Sequence, residues 1–162
     1  MLSKGFGLTN RNHKLPKGTS DEHYTPKHIF EALDLTFDLD PCSPGRGLSH
    51  VPAKKHFTIE DNGLLQEWGG VVWMNPPYSA PRPWVEKFLS HRNGLALLPI
   101  TRGSWWDALW DEADGICPNT YNLKFDRPDG LPNKPIVFRT ALFAFGQVAY
   151  KALLESNLGR VR

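Results

Sequence analysis

Four apolar residues, Val71-Val72-Trp73-Met74, run without a spacer into Asn75-Pro76-Pro77-Tyr78. A continuous apolar run of that length suits a strand buried on both faces, which needs a sheet covered by helices on both sides. The two prolines then stop it. Each fixes φ and removes an N–H, so the ladder cannot continue. The result is a stiff polar corner at the carboxyl end of a central strand. In open α/β sheets that is where ligands bind.

The flanking sequence supplies the alternating elements such a sheet needs. Thr25-Pro26 reads as N-cap and first position of a helix carrying Ile29, Phe30 and Leu33. Leu35 to Leu39 reads as a strand ending at Asp40-Pro41, residues 42–56 as loop, His56 to Ile59 as a strand, and Glu60-Asp61-Asn62-Gly63 as a turn. Trp84, Val85, Phe88 and Leu89 mark a helix that Gly94 stops, and Leu95 to Leu98 is the next strand. Ser104 with Asp107 forms a capping-box-like start to a helix whose Trp105, Trp106 and Trp110 fall at core spacing. Gly115 to Cys117, Tyr121 to Phe125 and Ile136 to Phe145 read as strands, with a turn-rich loop over 126–135 and a closing helix over 149–157. Strands alternating with helices predict an α/β fold with a mostly parallel sheet. The last two strands are joined by a loop with no helix, so an antiparallel C-terminal pair is expected.

The 162 residues suit one domain, and 40% hydrophobic content against 22% charged content predicts folding rather than disorder. Residues 1–20 carry Lys4, Arg11, Lys14 and Lys17 and no acid, so they hold +4 while the rest sums to −2. They read as a flexible basic arm able to touch phosphates, or as a terminus with no role, ahead of a single domain over 21–162. No apolar run is long enough to span a bilayer and no signal peptide is recognisable, so a cytoplasmic protein is expected, in the host cytoplasm if phage-encoded. Cys42, His50 and His56 match no standard zinc spacing, and no metal is expected. There is no phosphate-binding Gly-Lys-Ser/Thr loop, serine elbow or His-Glu-x-x-His.

The Asn-Pro-Pro-Tyr corner suits a planar exocyclic amine. Such an amine has two N–H donors: the Asn75 side-chain oxygen can accept one and the Pro76 carbonyl the other. Pro77 stiffens the turn, and Tyr78 can stack on the ring. Base–aromatic stacking is worth roughly 1–3 kcal/mol, comparable to the cost of taking a base out of a duplex. Arg82, in the loop after the motif, is a candidate phosphate contact, as are Arg102 and Arg127 in later loops. Taken alone, Asp40 is a candidate ligand for a cationic group or a turn cap, and Asp61-Asn62-Gly63 is a candidate site or a plain turn.

Asn75-Pro76-Pro77-Tyr78 is the motif of amino-group methyltransferases that use S-adenosylmethionine. Together with Tyr24-Thr25-Pro26, Phe37-Asp38-Leu39-Asp40-Pro41, Glu60-Asp61-Asn62-Gly63-Leu64, Trp68, Trp84-Val85-Glu86-Lys87 and Leu97-Leu98-Pro99, in that order, it makes the chain resemble the phage-type DNA N-6-adenine methyltransferase (Dam) family over roughly residues 20–146. The resemblance implies a reduced Rossmann-like methyltransferase fold, S-adenosylmethionine as cofactor and DNA as partner. It implies that Asn75, Pro76 and Tyr78 receive the target adenine. It implies cofactor contacts from Tyr24, from Thr25-Pro26 at the methionine end, from Asp40-Pro41-Cys42 at the first strand, and from Asp61 on the cofactor's adenine amine. Oligomeric state is left open. Alternatives are methylation of another amino group (cytosine N4, RNA adenine or protein glutamine) and a non-catalytic nucleic-acid-binding domain.

Overall fold

A computed structural model describes residues 23–45, 47–101, 103–119, 123–127 and 139–162. Its elements are α1 (Lys27–Leu33), β1 (Phe37–Asp40), β2 (Ala53–His56), β3 (Val72–Met74), α2 (Arg82–His91), β4 (Gly94–Pro99), α3 (Ser104–Glu112), β5 (Gly115–Pro118), β6 (Thr140–Phe145) and α4 (Gln147–Glu155). They build one six-stranded sheet in the order β2-β1-β3-β4-β6-β5. The pairs β2–β1, β1–β3 and β3–β4 are parallel, whereas β6 is antiparallel to both β4 and β5. Five strands therefore point one way and only β6 runs against them. The expected α/β class, with a mostly parallel sheet and an antiparallel C-terminal pair, is what the chain adopts.

Side-chain alternation on the central strands builds two cores. Trp73, Leu95, Leu97, Leu142 and Ala144 face one side, where Ile29, Phe30 and Leu33 of α1 and Ala149 and Leu153 of α4 cover them. Val72, Met74, Ala96, Leu98, Ala141 and Phe143 face the other side, under Val85 and Phe88 of α2 and Leu109 of α3. Helices on both faces explain why β3 and β4 are apolar at successive positions instead of alternating with polar residues. Trp106 meets Phe143 edge-on at 5.0 Å and packs with Trp105 against this core, as their spacing predicts, whereas Trp110, expected there too, is exposed. Gly94 starts β4 at φ +146, where a Cβ would lie 2.0 Å from the Val72 carbonyl oxygen, so only glycine lets β4 come this close to β3.

Several sequence expectations are corrected. The second strand lies at Ala53–His56 rather than His56–Ile59. Thr25 does not cap α1: Pro26 occupies the N-cap position and no side chain bonds the first turn. Likewise α3 begins after Gly103, with no side-chain cap from Ser104. Arg92, in the left-handed conformation at φ 57, ends α2, two residues before Gly94. The antiparallel partner of β6 within the C-terminal pair is β5, whereas among the described residues 123–127 contribute a single bridge, Tyr24 to Asp126. Residues 1–20, Arg102, Tyr121 and most of the 126–135 loop lie outside the described residues, as does the start of the expected strand at Ile136. Among the described residues, no helix is long and apolar enough to cross a membrane.

Candidate active site

The connection from β1 leads to β2 on one side, while the connection from β3 leads to β4 on the other. The chain thus reverses its direction of travel across the sheet between β1 and β3, and a crevice forms outside their carboxyl ends. Leu39 is in register with Val72, so Asp40 and Asn75 end two neighbouring strands, on the two sides of that switch point. The sheet carries one polar residue from each strand to the same edge.

Asn75 is held from a distant part of the chain. Its Nδ2 donates to the His23 backbone carbonyl at 2.7 Å and to the Thr25 hydroxyl oxygen at 3.2 Å. A carbonyl can only accept, so the amide must present its NH2 group to His23 and its oxygen elsewhere. That oxygen, Oδ1, is buried and has no hydrogen-bond partner among the described residues. Leaving a buried acceptor unmatched costs about 1–3 kcal/mol, so Oδ1 is poised to gain from a donor. The Pro77 carbonyl closes the turn by accepting the Ala80 N–H at 3.3 Å, leaving the Pro76 carbonyl outside that turn.

Tyr78 is half-buried. Its ring lies 5.3 Å from the His23 ring and 6.2 Å from the Phe125 ring, and its hydroxyl donates to the Leu97 carbonyl at 3.3 Å. Burial pushes the phenol well above its ordinary value, so it stays a neutral donor. In this conformation the Tyr78 face packs on protein.

Asp40 is buried, 2% exposed. Its Oδ1 accepts the Cys42 N–H at 3.2 Å, and its Oδ2 lies 3.7 Å from His56 Nδ1. The same His56 nitrogen meets the Ser43 hydroxyl at 3.0 Å. Burial raises the carboxyl above its ordinary value, against the opposing pull of these hydrogen bonds. The carboxylate therefore braces the 40–43 corner from within. Cys42 is half-buried, and desolvation together with the Asp40 charge pushes its thiol well up, which favours the neutral thiol over the thiolate. Asp61 is exposed and caps its own turn, accepting the Thr58 N–H at 2.8 Å and the Thr58 hydroxyl at 3.0 Å. Those bonds lower its carboxyl. That turn nonetheless abuts the first strand: a Cβ on Gly63 would fall 2.2 Å from the Pro41 carbonyl oxygen.

A family model described as DNA N-6-adenine-methyltransferase (Dam) matches residues 12–125, more than half of the chain. The chain belongs to the DNA N-6-adenine-methyltransferase (Dam) family. It is 35% identical over 112 residues to a DNA N-6-adenine-methyltransferase of Haemophilus phage HP1, covering 62% of this chain and 61% of that protein. It is 26% identical over 125 residues to a DNA N-6-adenine-methyltransferase of Escherichia phage T1, covering 66% of this chain and 52% of that protein. The chain thus spans about half to three fifths of the length of these curated relatives. No solved structure shows significant similarity to it.

For this Dam-family chain the α/β sheet is consistent with a Rossmann-like methyltransferase fold, and it brings Thr25, Asn75 and Tyr78 into one contact set and Asp40, Pro41 and Cys42 into the adjoining corner. Tyr24 pairs its backbone with Asp126, which ties the segment before α1 to residues 123–127. Arg82 is the first residue of α2 rather than a loop residue, and it bonds Glu86 at 3.1 Å and Ser104 at 3.2 Å from an exposed position. Arg127 is half-buried beside Asp126, and Arg102 lies outside the described residues. Sequence reasoning missed His23, Phe125 and Ser43, and weighed His56 only as a metal ligand. His23 acts through its carbonyl, which has no signature in a sequence. His56 sits in a strand whose Ala-Lys-Lys-His composition hides it. Its ring goes to Ser43 and Asp40, while the His50 ring goes to Asp126 at 3.1 Å, so these two histidines and Cys42 do not converge.

Proposed function

We propose that the chain is a DNA adenine-N6 methyltransferase that uses S-adenosylmethionine, with residues 21–162 as one methyltransferase unit and 1–20 as a basic arm. The observation that carries this is the Asn75 amide: two donors fixed on His23 and Thr25, and one buried oxygen left as an acceptor at the sheet's switch point. An adenine N6 amine supplies a matching N–H, and the Pro76 carbonyl lies in the same corner for the second.

The amine is a poor nucleophile because its lone pair is delocalised into the ring. Acceptors on both protons hold the amine in place and favour electron density on nitrogen as the new bond forms. That is catalysis by positioning and electrostatics: once the N6–methyl bond has formed, the cationic nitrogen is strongly acidic and releases one proton to water, so no general base is required. Tyr78 stacks on the extruded base once its ring leaves the His23–Phe125 packing, offsetting part of the unstacking cost.

S-adenosylmethionine, when bound, supplies an electrophilic methyl group on a sulfonium. The residues that would hold it are Tyr24, Pro26, Asp40, Pro41, Cys42 and Asp61, with Thr25 contributing its backbone only, since its hydroxyl is turned to Asn75. They fit, because the Asp61 turn is packed onto Pro41 through Gly63 and the corner it meets is braced by Asp40. Arg82, Arg102 and Arg127 are the proposed phosphate contacts, and a host-cytoplasmic location follows if the chain is phage-encoded.

The test is incubation with labelled S-adenosylmethionine and double-stranded DNA, followed by nucleoside analysis. Label in N6-methyladenine is expected. Label in N4-methylcytosine, in RNA or in protein instead, or no cofactor binding by calorimetry, overturns this assignment.

A further inference from the structure

Thr25 is 4% exposed and stands immediately before the N-cap residue of α1. A threonine at the N-cap itself uses its hydroxyl on the first turn of the helix. This one does not: α1 has no side-chain cap, and the Thr25 hydroxyl oxygen instead accepts from Asn75 Nδ2 at 3.2 Å. Two residues earlier, the His23 carbonyl accepts from the same nitrogen at 2.7 Å, and the His23 ring packs against Tyr78 at 5.3 Å. Tyr24, between them, is pinned by reciprocal backbone hydrogen bonds to Asp126 at 3.2 and 2.8 Å. One three-residue segment therefore touches both the amide and the aromatic of the corner.

We infer that Thr25 is a positioning residue that sets the rotamer and face of the Asn75 amide, with the His23 carbonyl as its partner. This rests on Asn75 being the acceptor for the target amine. Both amide hydrogens are committed to the 23–25 segment, so Oδ1 has one orientation. Flipping the amide would set its oxygen against the His23 carbonyl and leave the Thr25 oxygen without its donor. Removing the Thr25 hydroxyl leaves one restraint, and the amide then rotates about the His23 contact. Thr25 acts through Asn75, so its loss lowers the rate of the bound complex rather than the affinity for DNA or cofactor.

The experiment compares Thr25→Val, which keeps the shape and loses the hydroxyl, with Thr25→Ser, which keeps the hydroxyl. With wild-type folding checked by circular dichroism, Thr25→Val lowers kcat about 10-fold with KM for both substrates unchanged, and Thr25→Ser restores most of it. A second measurement does not depend on the reaction: the two Asn75 δ-NH2 proton resonances exchange more slowly with solvent in wild type than in Thr25→Val. An Asn75 amide unaffected by Thr25→Val overturns the inference, as does a rise in cofactor KM at unchanged kcat. If wild type transfers no methyl to adenine, the assigned reaction fails, while the Asn75 resonances still decide whether Thr25 orients the amide.

Discussion

Asn75 Nδ2 lies 2.7 Å from the backbone carbonyl of His23, a residue 52 positions earlier in the chain. The contact joins the carboxyl end of β3 to the segment that opens α1, and it leaves the opposite end of the amide as an unmatched buried acceptor. Local sequence supplies the corner, and a long-range contact orients it.

Tyr78 separates stacking from hydrogen bonding. Tyr78→Phe removes the bond to the Leu97 carbonyl and keeps the ring, so it should lose about 1 kcal/mol of stability and retain most turnover. Tyr78→Ala removes the ring, and methylation should fall about 10- to 100-fold. Urea unfolding and steady-state kinetics on both variants check this. Equal kinetic losses would show that the hydroxyl, not the face, is what matters.

Gly63 couples the Asp61 turn to the first strand. Gly63→Ala places a Cβ against the Pro41 carbonyl and forces the turn to move by on the order of 1 Å. Calorimetry should then show weakened S-adenosylmethionine binding, because the Asp61 turn leaves the Asp40–Cys42 corner. An unchanged Kd would remove this turn from the cofactor site.

Asp38 and Asp40, two residues apart on β1, differ in sign. The Lys54 ammonium at 2.8 Å and the Val71 N–H at 2.8 Å hold the Asp38 carboxyl below its ordinary value of 3.8. A lowered folded value gives stability that is present above 3.8 and lost as pH falls through the folded value. Asp38→Asn should therefore be less stable than wild type at pH 7, and the difference should shrink as the pH drops below 3.8, read by urea unfolding across pH. Asp40, raised by burial, has the opposite dependence: its contribution declines as pH rises from 3.8 through its folded value.

Trp73 anchors the α1 face of the sheet. It is 1% exposed, with its ring 4.7 Å from Phe30 and 5.5 Å from Phe37. Trp73→Ala should cost about 3–5 kcal/mol, measured by denaturant unfolding. A loss below about 1 kcal/mol would contradict the packing described here.

The parts of the molecule legible in sequence are those whose signal is local. β3 and β4 are continuous apolar runs because helices cover both faces, and the Pro-Pro pair marks where β3 stops. β2 was not legible: at the sheet edge, Ala53–His56 carries two lysines and is half-exposed, so its composition reads as loop. Residues 123–127 have the apolar spacing of a strand, yet only Asp126 bridges, because its partner is the segment around Tyr24 rather than the sheet. In the site, the sequence marked Asn75 and Tyr78 but not what holds them. The His23 carbonyl is backbone, and the Thr25 hydroxyl reads locally as a cap for α1, whereas in the fold it accepts from Asn75, 50 positions along the chain. Asp40 was legible as a strand-end acid, but its engagement with His56 depends on β2.

The most direct test of the Asn75 acceptor is the rate of methyl transfer to adenine by Asn75→Ala, measured beside S-adenosylmethionine affinity by calorimetry. Loss of one preorganised group of this kind costs about 100-fold or more. Turnover should fall by at least that factor while cofactor Kd stays at its wild-type value. A variant that methylates DNA at the wild-type rate would show that the target amine is held elsewhere.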